Sequence, residues 1–264
     1  MDLGLQGKVA LVMAASKGLG RASASALAHE GASVTIGARD SETLTQTAQE
    51  LGKTSESRVL AVPCDVTNPE DLATIVETTI QEFGRLDILV NNAGGPPFGY
   101  FEGFDDEAWQ QAFELNLLST IRLIRLVLPH MRQAGGGRII NIVSTSVKQP
   151  IDGLLLSNTI RPGVIGLAKS LSFELAPDNI TINNVCPGRI LTDRLLQSIS
   201  VQEKLAQGMS AEEALSGQMK DIPLGRLGKP EELGALVAFL ASSQASYITG
   251  TTIPVDGGLV RSLL

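Results

Sequence analysis

The chain has 264 residues, 43% hydrophobic and 19% charged, which is enough apolar material to fill a sizeable core in one domain. Its formal net charge of −7 offers no broad attraction for a polyanion and argues against nucleic acid as a partner. Short apolar runs then alternate with amphipathic stretches. Val9 to Ala15 reads as a buried strand and Gly18 to His29 as a helix with Leu19, Ala22 and Ala26 on one face. Val34 to Gly37 is a second strand, Ser41 to Leu51 a helix and Val59 to Pro63 a third strand. Asn68-Pro69-Glu70-Asp71 is a helix start, with cap, first-turn proline and acids in order, and that helix runs to about Phe83. Leu86 to Val90 is a fourth strand.

The second half keeps the rhythm. One or two helices span Asp106 to Arg132, a fifth strand Arg138 to Ser144, a helix Leu154 to Ala176 and a sixth strand Thr181 to Cys186. A helix over Pro230 to Ala241 and a strand over Thr252 to Val255 complete the pattern. Unbroken apolar strands separated by helices predict an α/β fold, a doubly wound parallel sheet of about seven strands with helices on both faces. Residues 1–264 read as a single domain, and the polar stretch at about 192–227 as a flap over a cleft.

Cys64 and Cys186 lie in no paired motif and read as reduced, buried thiols. The first apolar run is too short for a signal or a span, so the expectation is a cytoplasmic protein with no membrane attachment. No Cys/His/acid cluster has metal-ligand spacing, so no metal is expected. His29 and His130 each end a helix and read as surface or packing residues.

The first strand–helix turn reads Met13-Ala14-Ala15-Ser16-Lys17-Gly18-Leu19-Gly20. Small residues there let backbone N–H groups approach a pyrophosphate at the positive end of a helix. An ordinary tight turn is the plainer alternative. The loop resembles the threonine-glycine-x3-glycine-x-glycine loop of the short-chain dehydrogenase/reductase family, with Met13 and Ala14 in place of its Thr and first Gly. Alanine fits that turn if its φ stays negative. Four more features match in order: Asp65-Val66 after the third strand, Asn91-Asn92-Ala93-Gly94 after the fourth, Pro187-Gly188 after the sixth, and Val255-Asp256-Gly257-Gly258 near the end. The resemblance covers essentially the whole chain and is nearest to the 3-oxoacyl carrier-protein reductase branch. It implies a Rossmann-type domain, a nicotinamide dinucleotide, a small-molecule carbonyl or hydroxyl substrate, and a homo-oligomer, dimer or tetramer.

By that resemblance, the cofactor is held by Ala14, Ser16, Lys17, Gly18, Leu19 and Gly20 of the loop and by Asp65 and Val66 at the adenine. Asn92, Ala93 and Gly94 line its wall, and Pro187, Gly188, Ile190 and Thr192 follow the sixth strand. Ala38 stands where an NAD-type acid would stand, followed by Arg39, with Lys17 in the loop. Two cations and no carboxylate at that position favour NADP(H). Both cations are alternatively solvated surface groups, and Asp40 is placed to pair with Arg39.

The resemblance also implies a catalytic serine at Ser144 and an asparagine at Asn116 that supports a proton-relay water. The family's tyrosine and lysine, which share a helix face four residues apart, fall on Ser157 and Arg161. Gly163 to Leu171 fixes this register. An aliphatic hydroxyl is a far weaker acid than a phenol. Arg161 is a permanent cation able to hold ribose hydroxyls and stabilise a developing alkoxide, and Pro162 predicts a kink beside it. Tyr100, Tyr247, Lys148 and Asp152 are the other candidate proton donors. Pro96, Pro97, Phe98, Tyr100, Ile151 and Leu154 suggest apolar pocket walls, with Met209 and Met219 as flap or packing residues. Leu117, Leu118, Ile121, Ile124 and Leu128 form a broad apolar helix face for packing, self-association or both. An oxidoreductase with an altered site is the first reading; a dinucleotide-binding regulatory or structural partner is the alternative.

Overall fold

Alternate residues of the first strand enter opposite layers: Ala10 and Val12 pack on one side of the sheet, Val9, Leu11 and Met13 on the other. This two-sided burial explains why the strand reads as a continuous apolar run. The computed structural model describes residues 2–263. Among them the sheet has seven parallel strands in the order β3-β2-β1-β4-β5-β6-β7. The strands are β1 (Val9–Met13), β2 (Ser33–Ala38), β3 (Val59–Pro63), β4 (Ile88–Asn91), β5 (Gly137–Ile142), β6 (Ile180–Pro187) and β7 (Thr252–Val255).

Helices α1 (Gly18–His29), α2 (Ser41–Ser55) and α3 (Pro69–Phe83) follow the first three strands. Helices α4 (Asp106–Phe113) and α5 (Ser119–Gln133) precede β5, and α6 (Leu155–Ile160) and α7 (Pro162–Glu174) follow it. Three short helices, α8 (Asp193–Leu196), α9 (Ile199–Ala206) and α10 (Ala211–Met219), fill the stretch expected to be a flap, before α11 (Pro230–Ala241). One layer is built on α1, α2 and α11, with Leu27, Leu44 and Leu233 buried against Val34 and Ile36. The other uses α3, α5 and α7, with Leu72, Leu123 and Ala168 against Leu89 and Ile139. In the first layer α1 and α11 approach backbone to backbone: a Cβ at Gly234 would lie 2.6 Å from the Ala22 carbonyl oxygen.

Several expected boundaries move. The fourth strand is Ile88–Asn91 rather than Leu86 to Val90, and the fifth is Gly137–Ile142 rather than Arg138 to Ser144. Leu86 is nonetheless fully buried, so its apolar character reports core packing and not ladder pairing. The expected helix over Leu154 to Ala176 is two helices meeting at Arg161, because Pro162 lacks the N–H needed to continue the first. Between α4 and α5 the backbone does not break but widens into a π-helical turn over Glu114–Leu118, a feature that often marks functional sites.

A ladder of amides crosses the sheet at its C-terminal edge. Asn91 Nδ2 donates to Asn141 Oδ1 at 2.8 Å, and Asn141 Nδ2 donates to Asn184 Oδ1 at 2.9 Å. Asn184 Nδ2 in turn donates to the Thr251 carbonyl and to Thr252 Oγ1. These asparagines are register partners on β4, β5 and β6. A one-residue slip would strand all of them, so the ladder fixes the register beneath the site.

Candidate active site

The strand order reverses beside β1, where β2 and β4 flank it on opposite sides. Connections diverge at such a point and leave a crevice outside the carboxyl ends of the strands. A large cleft lies there, and most of the residues expected from sequence line it. From the loop these are Ala14, Ser16, Lys17, Gly18 and Leu19; from the next two strand ends, Arg39, Asp65 and Val66. Asn92, Ala93 and Gly94 form the middle of the cleft, and Pro187, Gly188, Ile190 and Thr192 its far side. Ser144, Ser157 and Arg161 line the same cleft.

Two expected residues do not. Gly20 lies under the loop, where a Cβ would come within 2.3 Å of the Ala14 carbonyl oxygen. Its role is close packing of helix on strand. Asn116 is buried behind the cleft wall in the π-helical turn, with Nδ2 donating to the Gly94 carbonyl at 3.0 Å. Its contact with the cleft wall runs through the Gly94 backbone.

The phosphate loop holds a correction. Ala14 has a φ of +48°, in the left-handed region, and not the negative φ that the alanine was expected to keep. The turn's shape is thus imposed on a residue that disfavours it. Gly18, at φ +60°, meets the same demand without strain. No side chain caps α1, which leaves its first-turn N–H groups without a side-chain acceptor. No atom lies within 4 Å of a Cβ built at Gly94, so the cleft is open there. These features fit a dinucleotide: the helix end for its pyrophosphate, and an open floor for the nicotinamide half beyond.

The two cations differ. Asp40 caps α2, accepting from Thr43 Oγ1 at 2.7 Å and from the Thr43 N–H at 3.1 Å, and those hydrogen bonds hold its carboxyl below the usual range. It is therefore committed to the helix, and no ion pair joins it to Arg39 among the described residues. Lys17 makes a 3.0 Å ion pair with Asp193 at the start of the flap. Both groups are largely exposed, so the bond is weak and exchangeable.

The ledge that carries the candidate catalytic residues is a cluster of hydroxyls around a buried guanidinium. Ser144 Oγ accepts from the Ser146 N–H at 3.1 Å, and Ser146 Oγ lies 3.2 Å from Ser157 Oγ. Ser146 was not foreseen; its signal in the sequence was only the second serine of Ser144-Thr145-Ser146. Arg161 is 8% exposed and donates through Nη1 to the Val143 carbonyl at 3.0 Å and the Ile142 carbonyl at 3.4 Å. A guanidinium has five N–H donors, so the rest remain for the cleft. Burial, and then the charge of Arg194, lower its pKa to about 10. Arg161 is a cation at neutral pH. Behind it a small cavity is bordered by Asn91, Asn116 and Arg161. The Oδ1 atoms of Asn91 and Asn116 are buried without a hydrogen-bond partner among the described residues, so a donor seated between these elements would be favoured.

The other candidate proton donors fare less well. Tyr100 is 57% exposed and donates to Asp152 Oδ2 at 2.9 Å, and that bond raises its pKa. Tyr247 is fully exposed and, like Lys148, does not line the cleft. Both cysteines are buried free thiols, with burial raising each pKa to about 12. Among the described residues no metal-ligating cluster occurs, and no helix is long and apolar enough to cross a membrane.

Residues 13–260 match the Enoyl-(acyl carrier protein) reductase family. The chain is 38% identical to the 3-oxoacyl-[acyl-carrier-protein] reductase FabG of Vibrio cholerae, over 97% of this chain and 99% of that protein. It is 36% identical to dehydrogenase/reductase SDR family member 4 of Caenorhabditis elegans, over 98% and 97%. The crystal structure of L-sorbose reductase from Gluconobacter frateurii, complexed with NADPH and L-sorbose, superimposes with a TM-score of 0.95 at 35% identity, covering all of both chains. Together with the sheet order, these likenesses show that the chain belongs to the short-chain dehydrogenase/reductase family of oxidoreductases.

Proposed function

We propose that the protein is an NADP(H)-dependent ketoreductase that interconverts a carbonyl and a hydroxyl group with Ser144 and Arg161 as its catalytic residues. The observation that carries this reading is a buried guanidinium, without a carboxylate partner, on the same cleft wall as the Ser144 hydroxyl. NADP(H) is favoured over NAD(H) by Arg39 beside Ala38 at the end of β2. The L-sorbose reductase relative and an actinorhodin polyketide ketoreductase, 35% identical with a TM-score of 0.89, are both NADPH complexes.

The first-turn N–H groups of α1 and the Gly18 backbone would hold the pyrophosphate, Arg39 and Lys17 the 2′-phosphate, and Asp65 and Val66 the adenine. When bound, the cofactor supplies or accepts a hydride. The Ser144 hydroxyl donates to the substrate oxygen and orients the carbonyl. The free donors of Arg161 stabilise negative charge developing on that oxygen, an effect strengthened by burial. Ser157, held by Ser146, is too weak an acid to deliver the proton. Water entering the open cleft therefore supplies it. We also infer a homodimer or homotetramer. Leu117, Leu118, Ile121 and Leu128 remain only half-buried while Ile124 is core, and Phe173 on α7 is 72% exposed.

The test is oxidation of NADPH and NADH by the purified protein against a carbonyl panel that includes 3-oxoacyl thioesters. Protein-dependent turnover with NADPH supports the reading. Tight NADPH binding with no turnover across the panel would favour a dinucleotide-binding regulatory or structural partner. Light scattering on the same preparation gives the assembly size.

A further inference from the structure

The first turn of the flap grips both sides of the cleft. Asp193 reaches the phosphate loop through Lys17. Its neighbour Arg194 reaches the loop after β4: Nη2 donates to the Pro96 carbonyl at 2.5 Å, and the guanidinium lies 4.0 Å from the centre of the Phe98 ring. Gly95 leaves room for the guanidinium as it lies, since a Cβ there would come within 2.6 Å of Nη2. Arg194 is thus a fixed, half-buried cation, and nothing in the sequence pattern had singled it out.

Arg194 and Arg161 share an unusual electrostatic position. Both line the cleft, and neither has a carboxylate within ion-pair distance among the described residues. The acids nearby are engaged elsewhere, Asp193 with Lys17 and Asp152 with Tyr100. Glu203 of α9 also lines the cleft, and its charge is felt at Tyr100 on the outer edge. Burial lowers the pKa of both arginines, and the charge of Arg194 lowers that of Arg161 further. Two desolvated like charges that feel one another are costly in a folded chain. An anionic oxygen group bound at Arg194 would offset that cost, and a guanidinium fork matches a carboxylate or phosphate bidentately. Phe98, Ile151 and Leu154 supply apolar walls for the rest of such a molecule.

We infer that the substrate carries an anionic oxyacid group, a carboxylate or a phosphate, held by the fork of Arg194 while its carbonyl oxygen meets Arg161 of the ledge. This rests on the reading of the cleft as a carbonyl substrate site. Arg194 then acts as a specificity residue: it selects oxo acids or oxo phosphates over neutral carbonyl compounds, and closes the flap upon them.

The test measures binding, not turnover, so an inactive protein still answers it. Pyruvate, 4-oxopentanoate and benzoylformate are titrated calorimetrically against their methyl esters, and dihydroxyacetone phosphate against dihydroxyacetone, with and without saturating NADP⁺. At least one anion is expected to bind tenfold or more tightly than its neutral partner. The acid–ester pairs reveal a carboxylate site and the last pair a phosphate site. In Arg194→Gln the preference should fall below threefold, with NADPH affinity within twofold of the parent protein. Arg194→Lys, which keeps the charge and loses the fork, should fall between the two and guards against a folding defect in the first variant. The inference is overturned if no anion outbinds its neutral partner, or if Arg194→Gln keeps the preference. It is equally overturned if Arg194→Gln mainly weakens NADPH, since Arg194 would then serve the cofactor's phosphates. Absence of NADPH turnover with every carbonyl would count against the ketoreductase reading alone.

Discussion

The two walls of the cleft are specified by different parts of the chain. The cofactor wall is shaped by backbone: the left-handed turn at Ala14 and Gly18, the lack of room at Gly20 and the uncapped start of α1. The catalytic ledge is shaped by side chains, three hydroxyls and one buried guanidinium. A backbone-built wall tolerates new side chains, as Met13 and Ala14 show, because any residue supplies N–H groups. A side-chain-built ledge changes its chemistry with each substitution. Cofactor binding and proton transfer can thus diverge separately within one fold.

The sharpest way to break this contrast is at Arg161. Arg161→Ala should lower kcat by about 10²- to 10³-fold, as for loss of a preorganised charge at the reacting oxygen, while NADPH affinity falls by no more than about tenfold. Steady-state kinetics and NADPH fluorescence titration separate the two. Unchanged turnover would remove Arg161 from the mechanism. In Ser157→Tyr with Arg161→Lys, a large gain would show that the ledge lacks only a proton donor. No gain would mean that the pocket itself is specialised.

Next in size is the amide ladder that supports both walls. Asn141→Leu removes the partners of Asn91 Nδ2 and Asn184 Oδ1, leaving two buried polar groups unmet. A loss of about 3 kcal/mol in urea unfolding is expected, with the m-value unchanged. A loss under about 1 kcal/mol would mean that water replaces the amide, and that the ladder guides register more than it stabilises.

A smaller effect should separate the cofactors. Arg39→Ala should weaken NADPH about tenfold and leave NADH unchanged, the value of one charge-assisted phosphate contact. Equal weakening of both would place Arg39 in a structural role, and no weakening would leave recognition to Lys17.

Much of this division was legible in the sequence. Period and punctuation located all seven strands, and β3, β7 and α11 have the expected bounds. The spacing from Ser144 also brought Ser157 and Arg161 to the cleft. The features that stayed hidden depended on tertiary distance. Ser146 lies eleven residues from Ser157 in sequence yet within hydrogen-bond reach in space, and Arg194 meets Pro96 across 98 residues. The amide ladder was invisible for the same reason, since Asn91, Asn141 and Asn184 align only once register is set. The widened turn at Asn116 was hidden for another: a single π-helical turn has no residue signature.

Ala14 is where the backbone-built wall meets its own limit. An L-residue at φ +48° carries strain of about 1 kcal/mol that glycine would not. Ala14→Gly also frees the unfolded chain, which returns roughly half of that gain. The net stabilisation expected is therefore about 0.5 kcal/mol, a rise in Tm of one or two degrees for a chain of this size. The same substitution leaves every N–H of the turn in place, so NADPH affinity should hold or tighten slightly. Differential scanning calorimetry with and without NADPH reads both. A fall in Tm would mean that the alanine methyl packs in a way that outweighs its strain. A fall in affinity would mean that the strained turn is held rigid for the cofactor, and the wall would then depend on one side chain after all.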